Sequence, residues 1–152
     1  MGRDGEPMPL ELKRISYGSL KSRQQETYNF QKLSAVLADF GYLTIRLSDD
    51  WNGADFIAQH FRTKAFLKVQ LKGRLTFDKK YHEKDLYICF RDGDHGHWYL
   101  YNHQELLEQV LLKGHIEGTK TWVENKPYHF PSLSKDLKEL LEPYRIPDAV
   151  TL

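Results

Sequence analysis

The chain has 152 residues, of which 40% are hydrophobic, 13% aromatic and 28% charged, with a formal net charge of +1. This is the length of one ordinary domain, able to bury about two-thirds of its unfolded surface, and the composition is too apolar for a disordered chain. No run reaches the roughly 18 consecutive apolar residues of a membrane span, so no membrane partner is expected. Cys89 is the only cysteine, which excludes an intramolecular disulfide and a thiolate-rich zinc site. The opening residues MGRDGEPMPLELKR lack the uncharged apolar core of an export signal, and a cytoplasmic setting is expected. A P-loop, a Gly-x-Gly-x-x-Gly run and a Gly-x-Ser-x-Gly elbow are all absent, so nucleotide-cofactor chemistry and serine hydrolysis have no sequence support.

Residues 1–18, rich in Gly and Pro, read as a flexible leader, 19–145 as a single domain and 146–152 as a tail. Leu20 to Phe40 predicts a long helix closed by Gly41, with the apolar stripe Phe30, Leu33, Leu37, Phe40. Stepping back four residues from Phe30 places Glu26 on that stripe, an unexpected position for a carboxylate. Leu43–Leu47 reads as a strand, Ser48–Gly53 as a turn-rich loop, and 55–60 and 65–73 as two strands around an Arg62-Thr63 turn. Leu86–Phe90 and His97–Tyr101 are further strands. Asn102 is positioned to cap a helix over 103–113 ended by Gly114. Thr119–Val123 reads as a last strand and 134–142 as a final helix. Asp94-His95-Gly96-His97, with His103 nearby, falls short of the tetrahedral ligand set of a zinc site. The order predicts an α/β chain with a mixed sheet flanked by helices.

Charge is unevenly spread. Arg62, Lys64, Lys68, Lys72, Arg74, Lys79 and Lys80 crowd residues 62–80 against Asp78 alone, which suits a polyanionic partner. With the turn centred between Arg62 and Thr63, His60 faces Ala65, Phe56 faces Val69, and Asp55 faces Gln70. Lys72 shares the Asp55 face because strand side chains alternate. Phe56, Ala58, Ala65, Leu67, Val69 and Leu71 then form an apolar layer on the other face, and a slip of one residue destroys the arrangement. A carboxylate and an amide oxygen converging beside an ammonium can hold a Mg²⁺ ion and a phosphate.

Gly53-Ala54-Asp55, a hairpin, and then Val69-Gln70-Leu71-Lys72 resemble the signature of the PD-(D/E)XK nuclease superfamily, in which an Asp is followed on the next strand by acid-x-Lys. A helix-borne acid upstream, as Glu26 is placed, resembles its Holliday-junction-resolvase branch and some restriction and homing endonucleases. Two positions depart from the pattern: Ala54 replaces the Pro before the Asp, and Gln70 replaces the acid. The resemblance implies a restriction-endonuclease-like core and an endonuclease acting on double-stranded DNA. Glu26, Asp55, Gln70 and Lys72 are its catalytic residues, and Glu26, Asp55 and Gln70 its ligands for Mg²⁺, with Mn²⁺ as a substitute. Arg23, Trp51, Asn52, Arg74, Lys79 and Lys80 are the expected nucleic-acid contacts. RNA shares the phosphate and metal chemistry. A homodimer or dimer of dimers follows from the need for two centres to cut a duplex. Two rivals stand beside this reading: a nucleic-acid-binding module of the same fold without the chemistry, for which Gln70 argues, and an interaction protein using the aromatics of residues 97–130.

Overall fold

The computed structural model describes residues 5–93 and 96–148, with residue 50 described in its backbone only. Asp94 and His95, and with them half of the histidine-rich turn, lie outside the described residues. The chain divides into two units, Met1–Gln31 and Lys32–Leu152. The described part of the first holds the 3₁₀ turn Tyr17–Ser19 and the start of helix α1 (Ser22–Ala38); within it Asn29 Nδ2 donates to the Tyr17 hydroxyl and Tyr17 tilts against Tyr28.

The second unit is built on a five-stranded mixed sheet in the order β1 (Tyr42–Trp51), β2 (Ala54–His60), β3 (Phe66–Lys72), β5 (Tyr87–Arg91), β6 (Trp98–Asn102). Neighbours are antiparallel except β3 and β5, which run parallel. The crossover joining those two carries the short strand β4 (Thr76–Phe77) and a 3₁₀ turn at Lys79–Tyr81. β4 pairs with β7 (Tyr128–His129) as a separate two-stranded sheet. Helices α2 (His103–Leu112), α3 (Lys120–Val123) and α4 (Lys135–Leu141) complete an α/β architecture. Among the described residues no helix is long and apolar enough to cross a membrane.

The β2–β3 register is the expected one, Phe56↔Val69 through Gln59↔Phe66, with His60 N donating to Ala65 O at 2.8 Å. Phe56, Ala58 and Val69 are fully buried; Leu67 and Leu71 are half-buried and Ala65 is exposed, so the apolar layer fades toward the turn. From Lys32 onward α1 covers this face: Leu33 and Leu37 are buried, and Thr44 on β1 donates its hydroxyl to Ser34 Oγ. The opposite face carries the main apolar cluster, in which Ile88, Phe90, Tyr99 and Tyr101 from β5 and β6 meet Phe77, Tyr81, Leu86 and the inner side of α2.

Three expectations are corrected. Thr119–Val123 is not a strand: Thr119 Oγ1 accepts the Trp122 N–H and starts the short helix α3, a local hydroxyl cap outweighing the strand propensity of a five-residue stretch. The loop over Ser48–Gly53 is mostly strand, since β1 runs on to Trp51 past a register irregularity between Arg46 and Trp51. Glu26 is exposed on α1, so the buried stripe stops at half-buried Phe30, and Phe40 at its other end is exposed too.

Candidate functional site

The sheet opens where β2 begins. Its ladder with β3 ends at Phe56↔Val69, and its ladder with β1 is irregular beyond Arg46. One step past the last pair, Asp55 Oδ2 accepts the Leu71 N–H at 2.9 Å, so a side-chain carboxylate takes a place that a strand carbonyl would otherwise hold. Asp55 is exposed and tied to β3. On β3, Gln70 and Lys72 pair with Ile88 and Phe90 in the parallel register, which puts both side chains at the margin of the main apolar cluster. Both are half-buried.

The crossover supplies a floor that the sequence did not reveal. Asp78 is 5% exposed; its Oδ1 accepts the Lys80 N–H and so caps the 3₁₀ turn, while its Oδ2 lies 3.7 Å from Lys80 Nζ. The Asp78 N–H donates to Nε2 of the fully buried His103 at 3.0 Å. Tyr81 stands edge-on to the His103 ring and presses against the β1–β2 turn. A Cβ at Gly53 would come within 2.8 Å of Tyr81 Cε1, and Gly53 has φ +88°, so only glycine fits beneath that ring. The Gln70 amide and the Lys80 ammonium lie close enough to Tyr81 to act on its hydroxyl, whose pKa burial raises, yet the hydroxyl completes no hydrogen bond among the described residues.

These surroundings set the charge of Lys72. Burial chiefly, and the Lys80 ammonium next, lower its pKa from the usual lysine value, while Asp55 and Asp78 pull it back up. Lys72 is therefore a lysine held between two carboxylates and a second cation. His129 joins the same electrostatic neighbourhood: burial, then Lys72 and Arg74, lower its pKa, with Asp78 opposing. Its Nδ1 lies 2.8 Å from Thr76 Oγ1, and that hydroxyl already donates its single proton to Arg74 O at 2.9 Å. The hydroxyl must then accept, so His129 carries its proton on Nδ1 and leaves Nε2 as a basic nitrogen. Nitrogen NMR shifts are expected to show this tautomer with an apparent pKa below 6.5; Thr76→Val should abolish the tautomer preference.

Gln70 Oε1 is buried and has no donor among the described residues. An orphaned buried carbonyl oxygen is costly unless a cation or water completes it. With the Asp55 carboxylate on the adjoining strand, this oxygen is suited to a hard divalent ion that takes one or two protein oxygens, waters and a phosphate. No group of three or more His, Cys, Asp or Glu side chains able to hold a metal occurs among the described residues.

The remaining expected residues are dispersed. Glu26 and Arg23 lie, both exposed, on the part of α1 that belongs to the first unit. Asn52 is an exposed turn residue with φ 53°, and Trp51 beside it is 46% exposed with Lys68 Nζ 5.7 Å from its ring centroid. Arg74 is exposed and electrostatically coupled to His129. Lys80 is exposed near Asp78 and Tyr81. Lys79 is engaged elsewhere, donating to Asn125 Oδ1 at 3.0 Å with its ammonium 4.9 Å from the Trp122 ring. It is better placed to anchor α3 than to meet a phosphate. Compared with protein-family models, curated proteins and solved structures, the chain finds no match.

Proposed function

We propose that this protein is a metal-dependent DNA endonuclease of the PD-(D/E)XK type, with a restriction-endonuclease-like core and its centre at Asp55, Gln70 and Lys72. The observation that carries the reading is the buried Gln70 carbonyl oxygen without a donor, on the face it shares with Lys72 and one strand from the Asp55 carboxylate. Asp55 and Gln70 are the groups that would hold Mg²⁺ or Mn²⁺. When bound, such an ion acidifies a water and offsets charge on the phosphate.

The chain's own groups do the rest. Lys72 meets the phosphate or the attacking water as a compact cation whose pKa is lowered, and so gives up a proton more readily than an ordinary lysine. The Leu71 N–H fixes the Asp55 carboxylate in place. Tyr81, wedged on Gly53, holds the Gln70 side from below. Exposed Arg74 and Lys80 are suited to flanking phosphates. Cutting both strands of a duplex calls for two centres, hence a homodimer or a dimer of dimers.

The test is cleavage of supercoiled plasmid in Mg²⁺, Mn²⁺ or EDTA by wild type and Gln70→Glu. Metal-dependent nicking is expected. Gln70→Glu should lower the Mg²⁺ concentration for half-maximal rate by about tenfold, because an added carboxylate contributes a charge–charge attraction of a few kcal/mol gross near a protein surface. The neutral Gln70 equally favours a binding module without catalysis. That reading predicts DNA binding indifferent to metal and to Asp55→Asn.

A further inference from the structure

A cleft of about 540 Å³ opens toward the turn end of β3, lined by Trp51, Lys64, Phe66, Lys68, Asp85 and Tyr87 among others and not by Asp55, Gln70 or Lys72. It lies on the same row of β3 as the site: Phe66, Lys68, Gln70 and Lys72 alternate onto one face, and Lys68 and Lys72 are roughly 13 Å apart along the strand. Its walls combine two chemistries. Trp51 and Phe66 leave 46% and 55% of their surface exposed, two large apolar faces open to solvent. Lys68 stands between them as a fixed cation, its Nζ donating to Lys84 O at 2.8 Å and lying 5.7 Å from the Trp51 centroid. The rim is also held in costly backbone conformations, with Lys64 at φ 63° and Asp85 at φ 49°.

Exposed aromatic faces interleaved with lysines, in a concave site of ligand size, are the chemistry that takes a nucleobase by stacking and its phosphate by charge. We propose that this cleft receives one unpaired nucleotide of the DNA strand, stacked on Trp51 and Phe66, while a phosphate a few nucleotides away occupies the Lys72 corner. The inference rests on the nuclease reading and deepens it. A base inside an intact duplex cannot reach such faces, so the substrate class is DNA with a bulge, flap or branch, where an unstacked base costs least.

The test is binding, in EDTA so that no cutting intervenes, of the full chain to a duplex carrying 2-aminopurine either in a single-nucleotide bulge or fully paired. The bulged duplex should bind at least tenfold more tightly, with the 2-aminopurine emission quenched by stacking. Trp51→Ala with Phe66→Ala should remove the preference and the quench, and Trp51→Phe alone should retain both. Equal affinity for the two duplexes, quenching that survives the double substitution, or binding to neither duplex overturns the proposal. Preferred binding and quenching without any Mg²⁺-dependent cleavage leaves the cleft standing and removes the nuclease; cleavage without the preference does the reverse.

Discussion

Asp55→Asn is expected to lower single-turnover cleavage by at least about a hundredfold while DNA affinity stays the same or rises slightly. The loss is the scale seen when a preorganised group that stabilises developing charge is removed. The substitution is nearly isosteric, and the asparagine oxygen can still accept the Leu71 N–H that the carboxylate accepts at 2.9 Å, so the end of the β2–β3 hairpin should persist. What disappears is the negative charge, and with it the attraction for a divalent ion. Affinity for the phosphate backbone is not expected to fall, because a carboxylate repels phosphate. Lys72→Ala should be as severe for cleavage but should also weaken DNA binding, since it removes a cation. Rates measured at saturating enzyme, with affinities at two salt concentrations, separate the two substitutions. Asp55→Asn cutting within tenfold of wild type would place the chemistry elsewhere.

Acid should destabilise the fold through His103 well above the pH at which most carboxylates protonate. His103 is fully buried beneath the site, its Nε2 accepts the Asp78 N–H, and burial chiefly lowers its pKa from 6.5 to about 4. The folded state therefore binds this proton less readily than the unfolded state. The stabilising contribution is complete above pH 6.5 and is lost as the pH falls from 6.5 toward 4, amounting to about 2 kcal/mol by pH 5. Urea midpoints at pH 7.5 and 5 should show this loss in wild type. His103→Phe should be less stable at pH 7.5, because the Asp78 N–H then lacks its acceptor, by about 1–3 kcal/mol. Its stability should also change less between the two pH values. An equal pH dependence in both proteins would mean that His103 is not the titrating group.

The hairpin was legible because a turn position and a period of two determine a register, and Asp55, Gln70 and Lys72 followed from it. The α2 boundaries were legible for a similar local reason, Asn102 Oδ1 accepting the Glu105 N–H at one end and Gly114 with φ +74° just beyond the other. What lay hidden depends on long-range placement. The parallel β3–β5 pair leaves no local pattern, and β4 and β7 are two residues each, too short to carry a period. Asp78 read only as the lone acid in a basic stretch. Its burial and its bond to His103, 25 residues away, appear only once the crossover folds under the sheet. Glu26 shows the converse error: helical spacing predicts which residues share a face, but whether the end of that face is covered depends on what packs there.

The most direct measurement of the account is sequencing of the ends left in a randomised-site duplex library, and in a branched junction, after incubation with wild type or Asp55→Asn in Mg²⁺ or EDTA. A metal-dependent phosphodiester hydrolase at Asp55, Gln70 and Lys72 predicts new 5′- or 3′-phosphate ends in Mg²⁺ with wild type alone. No new ends in any arm, together with DNA binding unchanged by Mg²⁺ and by Asp55→Asn, would contradict it and leave a binding module.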